Sequence, residues 1–324
     1  MKIGVLCPSE IAFRRFMPAL GKCGHLFEYA GVAYASADEW PEGVDEASKA
    51  EKFQSAYGKE IFKSYADMLK SDIDCIYIPL PPALHFEWGK VALKYGKHVL
   101  MEKPFTTSLK DTNALLKVAE SRSLAVHENY MFQYHSQIEH IVQIIKSRKI
   151  GDLRLIRIDF GFPFRGNQDF RYNRALGGGA LLDCGGYTIK LASMLLGKNA
   201  RLVQSSLSYS GEVDLFGSAV MANDDGITAQ LSFGMDNDYR CNLDIWGSEG
   251  SIFTDRILTA PDGFSPTLRI KRGTEIEEQK LPPDDAFEKS IHAFYECIVD
   301  KTKRADNYKS ILKQAEYIEG MWPQ

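Results

Sequence analysis

The first 127 residues alternate between short apolar runs of strand length and segments with helical spacing. The strand-like runs cover 2–7, 27–35, 74–79, 99–101 and 124–127. The helical segments cover 11–21, 51–58, 65–69, 85–95 and 107–121. Strands that alternate with helices are joined by crossovers, which place them parallel in one sheet with helices on both faces. The sequence therefore predicts an α/β fold that begins with a doubly wound parallel sheet.

The pattern changes beyond this sheet. A helix is predicted over 137–147 and an alternating strand over 153–162. After a glycine-rich helix, further strands are predicted over 201–209, 218–222, 227–234, 239–246, 251–255 and 268–272, and two helices over 285–299 and 309–321. Consecutive strands with short turns are typical of antiparallel sheets. We therefore predict a parallel-sheet domain over 1–123 and an α+β domain over 124–324 with a largely antiparallel open sheet.

Composition argues against several classes of protein. Hydrophobic residues make up 44% of the 324 residues and charged residues 25%, which is typical of a globular chain and not of a disordered one. The formal net charge is −4 and no basic run stands out, which argues against nucleic acid as a partner. No apolar window has the length of a membrane span, and the first residues lack the apolar length of a signal peptide. We therefore expect no membrane partner.

The cysteines bear on the compartment and on metal binding. The six cysteines are scattered along the chain and form no CxxC pair. In a chain of this size, such spacing is typical of buried, reduced thiols rather than of a disulfide framework or a zinc site. We therefore expect a cytoplasmic protein with no metal centre.

The turn after the first strand reads Cys7-Pro8-Ser9-Glu10-Ile11-Ala12. In a dinucleotide-binding fingerprint, glycines at this turn let the backbone approach a pyrophosphate at the helix N-terminus. Only Ala12 fits that pattern, although Ser9 can cap the helix and offer a hydroxyl to a phosphate. From these residues alone, an ordinary strand–helix turn is the better interpretation.

The tip of the second strand bears on the choice between NAD and NADP. An acid at this tip would hold the ribose hydroxyls of NAD, and an arginine would favour the 2′-phosphate of NADP. The tip residues Ser36 and Ala37 are neither acidic nor basic. Arg14 and Arg15 could serve a phosphate, although a solvated helix face is the commoner role. The absence of the expected acid favours NADP.

A proline-rich loop, Ile78-Pro79-Leu80-Pro81-Pro82, follows the next strand, and His85 begins the helix after it. Open parallel sheets bind their ligands at the carboxyl ends of the strands. This position favours a ligand role for Leu80, Pro82 and His85. A lone histidine at a helix start is more often a surface residue or a structural hydrogen-bonding group, and that alternative stays open.

The segment Glu102-Lys103-Pro104 follows the strand over 99–101 and lies at the same edge. Glu102 can hold the ammonium of Lys103, and Pro104 restricts the backbone around it. A lysine here can donate hydrogen bonds to a substrate oxygen and lower the pKa of its neighbours. From spacing alone, a solvated lysine would still be the commoner interpretation.

Asp183 and Tyr187 follow a glycine run, Gly177-Gly178-Gly179, and are four residues apart. In a helix this spacing places both side chains on one face, and the glycines let a backbone approach a ligand closely. A tyrosine can protonate a developing alkoxide if a cation lowers its pKa. The alternative is a glycine-rich loop with a capping aspartate and a half-buried tyrosine.

Taken together, these stretches resemble the Gfo/Idh/MocA family of NAD(P)-dependent sugar oxidoreductases. The matching segments are Ile11-Ala12, Pro18-Ala19-Leu20, Pro81 with His85, Gly96-Lys97-His98-Val99-Leu100, Glu102-Lys103-Pro104 and residues 177–187. They occur in the family's order and span essentially the whole chain. The resemblance implies an N-terminal Rossmann domain and a C-terminal α/β domain whose open sheet often forms a dimer interface.

The resemblance also implies roles for single residues. Lys103 would bind both nicotinamide and substrate, the residue at Tyr187 would be the proton donor or acceptor, and Asp183 would bind a neighbouring hydroxyl or orient the site. The segment Asp169-Phe170-Arg171-Tyr172 looks most like the nucleotide-sugar 3-ketoreductases, which adds Arg171 to the substrate side. The cofactor-binding residues would be Ser9, Ile11, Ala12, Ser36, Ala37, Leu80, Pro82, His85, Glu102 and Lys103.

The predicted function is hydride transfer between a nicotinamide cofactor and a ring carbon of a sugar, a sugar derivative or a nucleotide sugar. NADP is the favoured cofactor and NAD the alternative, and a homodimer or homotetramer is expected. A second hypothesis is a non-catalytic protein that senses a dinucleotide or a sugar on the same fold, which the altered first turn supports. A third is a dehydrogenase of a non-sugar cyclic diol.

Overall fold

The computed structural model describes residues 1–36, 38–39 and 46–323. The first half contains β1 (Lys2–Val5), α1 (Met17–Lys22), β2 (Glu28–Ala33), α2 (Glu46–Tyr57), β3 (Glu60–Phe62), α3 (Tyr65–Lys70), β4 (Cys75–Ile78), α4 (His85–Lys94), β5 (His98–Met101), α5 (Leu109–Ser121) and β6 (Val126–Glu128). The second half contains α6 (Ser136–Lys146), β7 (Leu153–Gly161), α7 (Gly186–Leu196), β8 (Arg201–Ser210), β9 (Val213–Ala222), β10 (Thr228–Gly234), β11 (Arg240–Gly247), β12 (Ser251–Asp255), β13 (Thr267–Arg272), β14 (Glu275–Lys280), α8 (Ala286–Val299) and α9 (Lys301–Gly320). Two π-helical turns, Ala12–Phe16 and Leu181–Gly185, lead into α1 and α7.

The first sheet has six strands in the order β3-β2-β1-β4-β5-β6, and every neighbouring pair is parallel. All four residues of β4 are buried, because helices cover both faces of such a sheet and its central strands are continuous apolar runs. The predicted doubly wound sheet is confirmed. The strand order reverses between β1 and β4, and crevices at such switch points hold the ligands of open α/β sheets.

The second sheet has eight strands in the order β14-β13-β12-β11-β7-β10-β9-β8. Only β7 and β10 run parallel, with Ile158 opposite Leu231, and the other neighbouring pairs are antiparallel. The predicted largely antiparallel open sheet is confirmed. Helix α7 packs on the middle of this sheet against β7 and β10, which places the predicted site residues of α7 over its central strands.

Several elements differ from the sequence-based expectation, among them β9, which begins at Val213 instead of residue 218. β3 has only three residues, too short for a periodic pattern, and was not predicted. β14 was also not predicted because this edge strand is charged and almost fully exposed. Helix α9 begins at Lys301 instead of residue 309, because the carboxylate of Asp300 accepts hydrogen bonds from the N–H groups of Thr302 and Lys303 and caps the helix.

The chain divides into two compact units. The first unit is Met1–Asn129 with Phe287–Lys313, and the second is Tyr130–Ala286 with Gln314–Gln324. The predicted domain boundary near residue 123 remains a prediction, and the units add a feature that it lacked. Most of α8 and about two thirds of α9 belong to the first unit, where the ring of Phe294 stacks on Phe27 at 5.9 Å between centroids.

Candidate active site

The turn after β1 is closed by Ser9. Its hydroxyl accepts a hydrogen bond from the N–H of Ala12 at 3.3 Å, and its carbonyl accepts one from Phe13 at 3.0 Å. The predicted capping role of Ser9 is confirmed. Ala12 is buried, whereas Ser9 and Ile11 are half-buried at the carboxyl edge of the sheet. The first turn of a helix carries N–H groups of the kind that bind phosphates, and contact of this turn with the diphosphate of a cofactor remains a prediction.

Glu46 is the first residue of α2, and its side chain binds the backbone just after β2. One carboxylate oxygen accepts hydrogen bonds from the N–H of Ala35 at 2.8 Å and from the phenol of Tyr65 at 3.0 Å. The other accepts one from the thiol of Cys7 at 3.2 Å. Burial raises the pKa of the Cys7 thiol, and the charge of Glu46 raises it further. Cys7 therefore donates to the carboxylate as a neutral thiol.

Glu39 also binds backbone groups at this edge of the sheet. Its carboxylate accepts hydrogen bonds from the N–H groups of Ser36 at 2.9 Å, Tyr65 at 2.9 Å and Ala66 at 2.8 Å. Ser36 itself is half-buried, and Ala37 lies outside the described residues. Neither Glu39 nor Glu46 lies in the strand tip from which the cofactor preference was predicted. The excess of acidic residues just after it was the signal that could have revealed both carboxylates.

His85 joins the proline-rich loop to the segment that carries Lys103. Its two ring nitrogens lie 2.8 Å from the carbonyl oxygens of Leu80 and Pro104. Burial lowers the pKa of His85 to about 4, although both carbonyls oppose this shift. The ring is therefore neutral at pH 7 and donates to one of the two carbonyls. His85, Leu80 and Pro82 are all buried, so the structure gives His85 a positioning role, and contact of these residues with cofactor remains a prediction.

Glu102 links the carboxyl ends of three neighbouring strands. One oxygen of its carboxylate accepts hydrogen bonds from the phenol of Tyr77 in β4 at 2.7 Å and from the amide of Asn129, just after β6, at 2.6 Å. Burial raises the pKa of Glu102, and these donors and the charge of Lys103 partly oppose the shift. This network holds the end of β5 in place, and the half-buried Lys103 is the next residue.

In the second unit, Asp183 is paired with Arg171. The Nε of Arg171 donates to Oδ2 of Asp183 at 2.8 Å, and its Nη1 donates to Oδ1 of Asp169 at 3.1 Å. Burial lowers the pKa of Arg171, but the carboxylates of Asp183 and Asp169 raise it by more, so its net pKa lies above the ordinary value. Arg171 was predicted on the substrate side. That role remains a prediction, and the structure shows that Arg171 orients Asp183.

The glycine run before Asp183 is needed for backbone conformation and for space. Gly177 and Gly179 have φ values of 79° and 121°, which side chains other than glycine rarely adopt. A Cβ atom on Gly178 would lie 2.4 Å from the carbonyl oxygen of Arg171, and one on Gly179 would lie 2.3 Å from Oδ1 of Asp214. The turn therefore packs directly on the segment that carries Arg171.

Asp214, at the start of β9, was missed by the sequence analysis. Its Oδ2 accepts a hydrogen bond from the N–H of Leu181 at 2.7 Å, and the residue is 1% exposed. Burial raises the pKa of Asp214, and the N–H of Leu181 opposes the shift. Asp214 thus caps the helical turn that carries Asp183. It is 33 residues from its partner in sequence, so no local pattern marks it.

Tyr187 lies one helical turn after Asp183 and is 7% exposed. Its ring is surrounded by those of Tyr130, Phe160 and Phe132, with centroids 5.1, 5.3 and 5.8 Å away. Asp183 and Tyr187 belong to one continuous helical segment over 181–196, as the sequence predicted. The aromatic rings exclude water from the sides of the Tyr187 ring.

The described part of the chain offers neither a cluster of metal ligands nor a helix able to span a membrane. Among residues 1–36, 38–39 and 46–323, no group of three or more His, Cys, Asp or Glu side chains is arranged to hold a metal ion. All six cysteines are buried free thiols. In the same part of the chain, no helix combines the length and the apolar character needed to cross a membrane.

The parallel-sheet fold of the first unit and the mixed sheet of the second are the fold of the NAD(P)-dependent oxidoreductases. Residues 44–130 match the oxidoreductase family with an NAD-binding Rossmann fold, and residues 138–253 match the GFO/IDH/MocA C-terminal domain. The chain belongs to the Gfo/Idh/MocA family, which confirms the resemblance seen in its motifs. It is an enzyme that transfers hydride between NAD or NADP and a carbonyl or hydroxyl carbon of a sugar or sugar derivative.

Two relatives match over almost the whole chain. The dTDP-3,4-didehydro-2,6-dideoxy-alpha-D-glucose 3-reductase of Streptomyces violaceoruber is 37% identical over 99% of this chain and 94% of its own. The enzyme of the same name from Actinomadura kijaniata is 34% identical over 99% of this chain and 94% of its own. These matches cover both units of the chain.

Solved structures show the same architecture. A 3-ketoreductase from Actinomadura kijaniata, in complex with NADP and TDP-benzene, superimposes with a TM-score of 0.91 at 34% identity, covering 99% of this chain and 96% of its own. An aldose-aldose oxidoreductase from Caulobacter crescentus has a TM-score of 0.84 at 20% identity, covering 99% and 97% of the two chains, and shares the fold.

Proposed function

We propose that this protein reduces a keto carbon of a nucleotide-linked sugar, with Tyr187 as the proton donor. The observation that carries the proposal is that four relatives named as dTDP-sugar 3-reductases are 31–37% identical to this chain over 98–99% of its length. The pairing of Asp183 with Arg171, one turn before Tyr187, supports it. A carboxylate held by a guanidinium is suited to accept a hydrogen bond from a sugar hydroxyl.

The proposed reaction assigns one task to each of three side chains. When bound, the reduced nicotinamide supplies the hydride. Tyr187 gives its phenolic proton to the oxygen that becomes a hydroxyl. Lys103 donates a hydrogen bond to that same oxygen, and its charge favours the tyrosinate that remains. Asp183 accepts a hydrogen bond from a neighbouring hydroxyl and fixes the orientation of the ring.

The proposed cofactor site follows the carboxyl edge of the first sheet. Ser9 and Ile11 are half-buried there, and the buried Ala12 leaves room at the first turn of the helix. The positions that we propose to line or shape the site are Ser9, Ile11, Ala12, Ser36, Leu80, Pro82, His85, Glu102 and Lys103. Ala37 belongs to the same proposal from sequence alone.

Turnover of a dTDP-linked 3-keto sugar tests this function. The purified protein is mixed with the sugar and with NADH or NADPH, and loss of nicotinamide absorbance is followed. We expect turnover, and we expect Tyr187→Phe to reduce it at least about 100-fold because a positioned proton donor contributes roughly that much. Tyr209→Phe, which changes a tyrosine that is 51% exposed, is the matched control. No turnover by the native protein with either cofactor would contradict the proposal.

We also propose that the enzyme works in the cytoplasm as a homodimer or homotetramer. The open face of the second sheet supports the oligomer. On adjacent strands of that sheet, Trp246 is 58% exposed and Phe253 is 39% exposed. Arg157 and Asp244 lie opposite each other on the same face. An apolar centre flanked by charges of both signs is suited to a second copy of the same face.

A further inference from the structure

The chain that follows β2 carries charge of only one sign. Residues 34–48 contain no Lys, Arg or His, and their acidic residues are Asp38, Glu39, Glu42, Asp45 and Glu46. In a Rossmann fold, the adenosine ribose of the dinucleotide lies at the tip of this strand. NADP differs from NAD only by a phosphate on that ribose, and sites that bind this phosphate place an arginine nearby.

Glu39 occupies the backbone donors at this tip. Three N–H groups, from Ser36, Tyr65 and Ala66, converge on its carboxylate at 2.8–2.9 Å. They are donors of the kind that a phosphate would otherwise use. A 2′-phosphate here would have to displace an anion that is tied to the protein by three hydrogen bonds.

Glu46 adds a second fixed negative charge between the ends of β1 and β2. It is 7% exposed and is held by the N–H of Ala35, the phenol of Tyr65 and the thiol of Cys7. All three partners are neutral, so they orient the carboxylate without cancelling its charge. In a partly buried site such a charge acts over several ångströms with little screening.

We infer that Glu39 and Glu46 are specificity-determining residues that exclude the 2′-phosphate, so the enzyme prefers NAD(H) to NADP(H). The absence of an acid at Ser36 and Ala37 favours NADP, whereas the carboxylates of Glu39 and Glu46 favour NAD. The acids are not in the strand tip but are brought to it from the following loop and helix. The inference rests on dinucleotide binding, which the family shows, and not on the identity of the sugar.

The test is binding of NADH and NADPH to the full-length protein in the absence of sugar, followed by nicotinamide fluorescence. We expect the Kd for NADH to be lower by on the order of tenfold or more at low ionic strength. We expect the ratio of the Kd for NADPH to the Kd for NADH to decrease as salt is added, because screening weakens the repulsion of the 2′-phosphate. Tighter or equal binding of NADPH by the native protein would overturn the inference, as would no binding of either cofactor.

A charge-neutral variant separates electrostatic exclusion from a loss of structure. Glu39→Gln should lower the Kd for NADPH by about threefold to tenfold and change that for NADH by less than about twofold. Glu51→Gln removes an exposed charge from the same helix as Glu46 and should change neither. An equal change for both cofactors in Glu39→Gln would overturn the assignment.

Glu46→Gln is the second variant, and its thermal unfolding is recorded beside its binding. If the variant is folded, its Kd for NADPH should fall relative to its Kd for NADH, as in Glu39→Gln. An unchanged ratio of the two Kd values would remove Glu46 from the assignment. If it does not fold, Glu39→Gln decides the inference alone. Neither result depends on whether a nucleotide sugar is turned over.

Discussion

Arg171 lies between two carboxylates and joins the loop after β7 to the helical turn before α7. Its Nε is 2.8 Å from Oδ2 of Asp183, and its Nη1 is 3.1 Å from Oδ1 of Asp169. Its side chain is 20% exposed and that of Asp183 is 11% exposed. A charge pair of this kind, largely withdrawn from water and fixed by hydrogen bonds, holds the carboxylate in one orientation.

Arg171→Lys should therefore reduce kcat/KM for the sugar by roughly tenfold or more. A lysine keeps the charge but loses the planar fork that binds two carboxylates at once. Arg174→Lys, three residues further on and exposed, is the matched control and should leave the rate unchanged. If Arg171→Lys keeps the native kcat/KM, orientation of Asp183 by this guanidinium is not needed for the reaction.

The glycine turn gives a second prediction. Gly178→Ala would bring a methyl group to 2.4 Å from the carbonyl oxygen of Arg171, so the turn must shift. We expect about 1–3 kcal/mol lower free energy of unfolding in urea and a loss of turnover. Gly21→Ala is the control, because a Cβ atom there meets nothing within 4 Å and alanine favours helices. Equal stability of the two variants would contradict a close-packed turn.

The parts of the fold that the sequence predicted are those with a local pattern. The strand predicted over 74–79 is β4, Cys75–Ile78, and the helix predicted over 85–95 is α4, His85–Lys94. The spacing of apolar residues within such a segment is enough to predict whether it forms a strand or a helix. β14 has no such pattern, since an exposed edge strand buries almost nothing.

The candidate site also contains residues with a local sequence pattern and residues without one. Lys103, Asp183 and Tyr187 could be proposed from the sequence because each lies in a short motif. Glu46 and Asp214 act on backbone groups 11 and 33 residues away. Such contacts depend on the tertiary structure, because it brings residues that are distant in sequence together. The local spacing of residues does not predict them.

The pH dependence of stability gives a third prediction, through His98 in β5. Its Nδ1 accepts a hydrogen bond from the N–H of Ala125 at 2.8 Å, which needs an unprotonated nitrogen. Burial, together with the charge of Arg304, lowers the pKa of His98 to about 4. The unfolded chain, with an ordinary pKa near 6.5, then binds more protons than the folded one. The stabilising contribution is complete above about pH 6.5 and is lost as the pH falls toward 4.

His98→Asn should make the unfolding free energy less dependent on pH across this window, by on the order of 2 kcal/mol. Urea unfolding of the native protein and the variant at pH 7 and pH 4 measures this difference. His25→Gln, at an exposed position, is the control and should keep the native slope. An unchanged slope in His98→Asn would show that this ring does not titrate with unfolding. His85, whose pKa is also about 4, adds to the slope in both proteins alike.

The open face of the second sheet gives the last prediction. Trp246 lies opposite Leu155 of β7, and its neighbour on the same face, Asp244, lies opposite Phe253 of β12. An exposed apolar cluster of this kind usually marks a protein interface. Trp246→Glu would place a charge at its centre, so we expect the particle to fall from a multiple of 36.5 kDa to the single-chain mass, measured by light scattering. Val299→Glu changes an equally exposed apolar residue outside this sheet, 60% exposed in α8, and should leave the mass unchanged. A native protein that is already a single chain at micromolar concentration would refute the proposed interface.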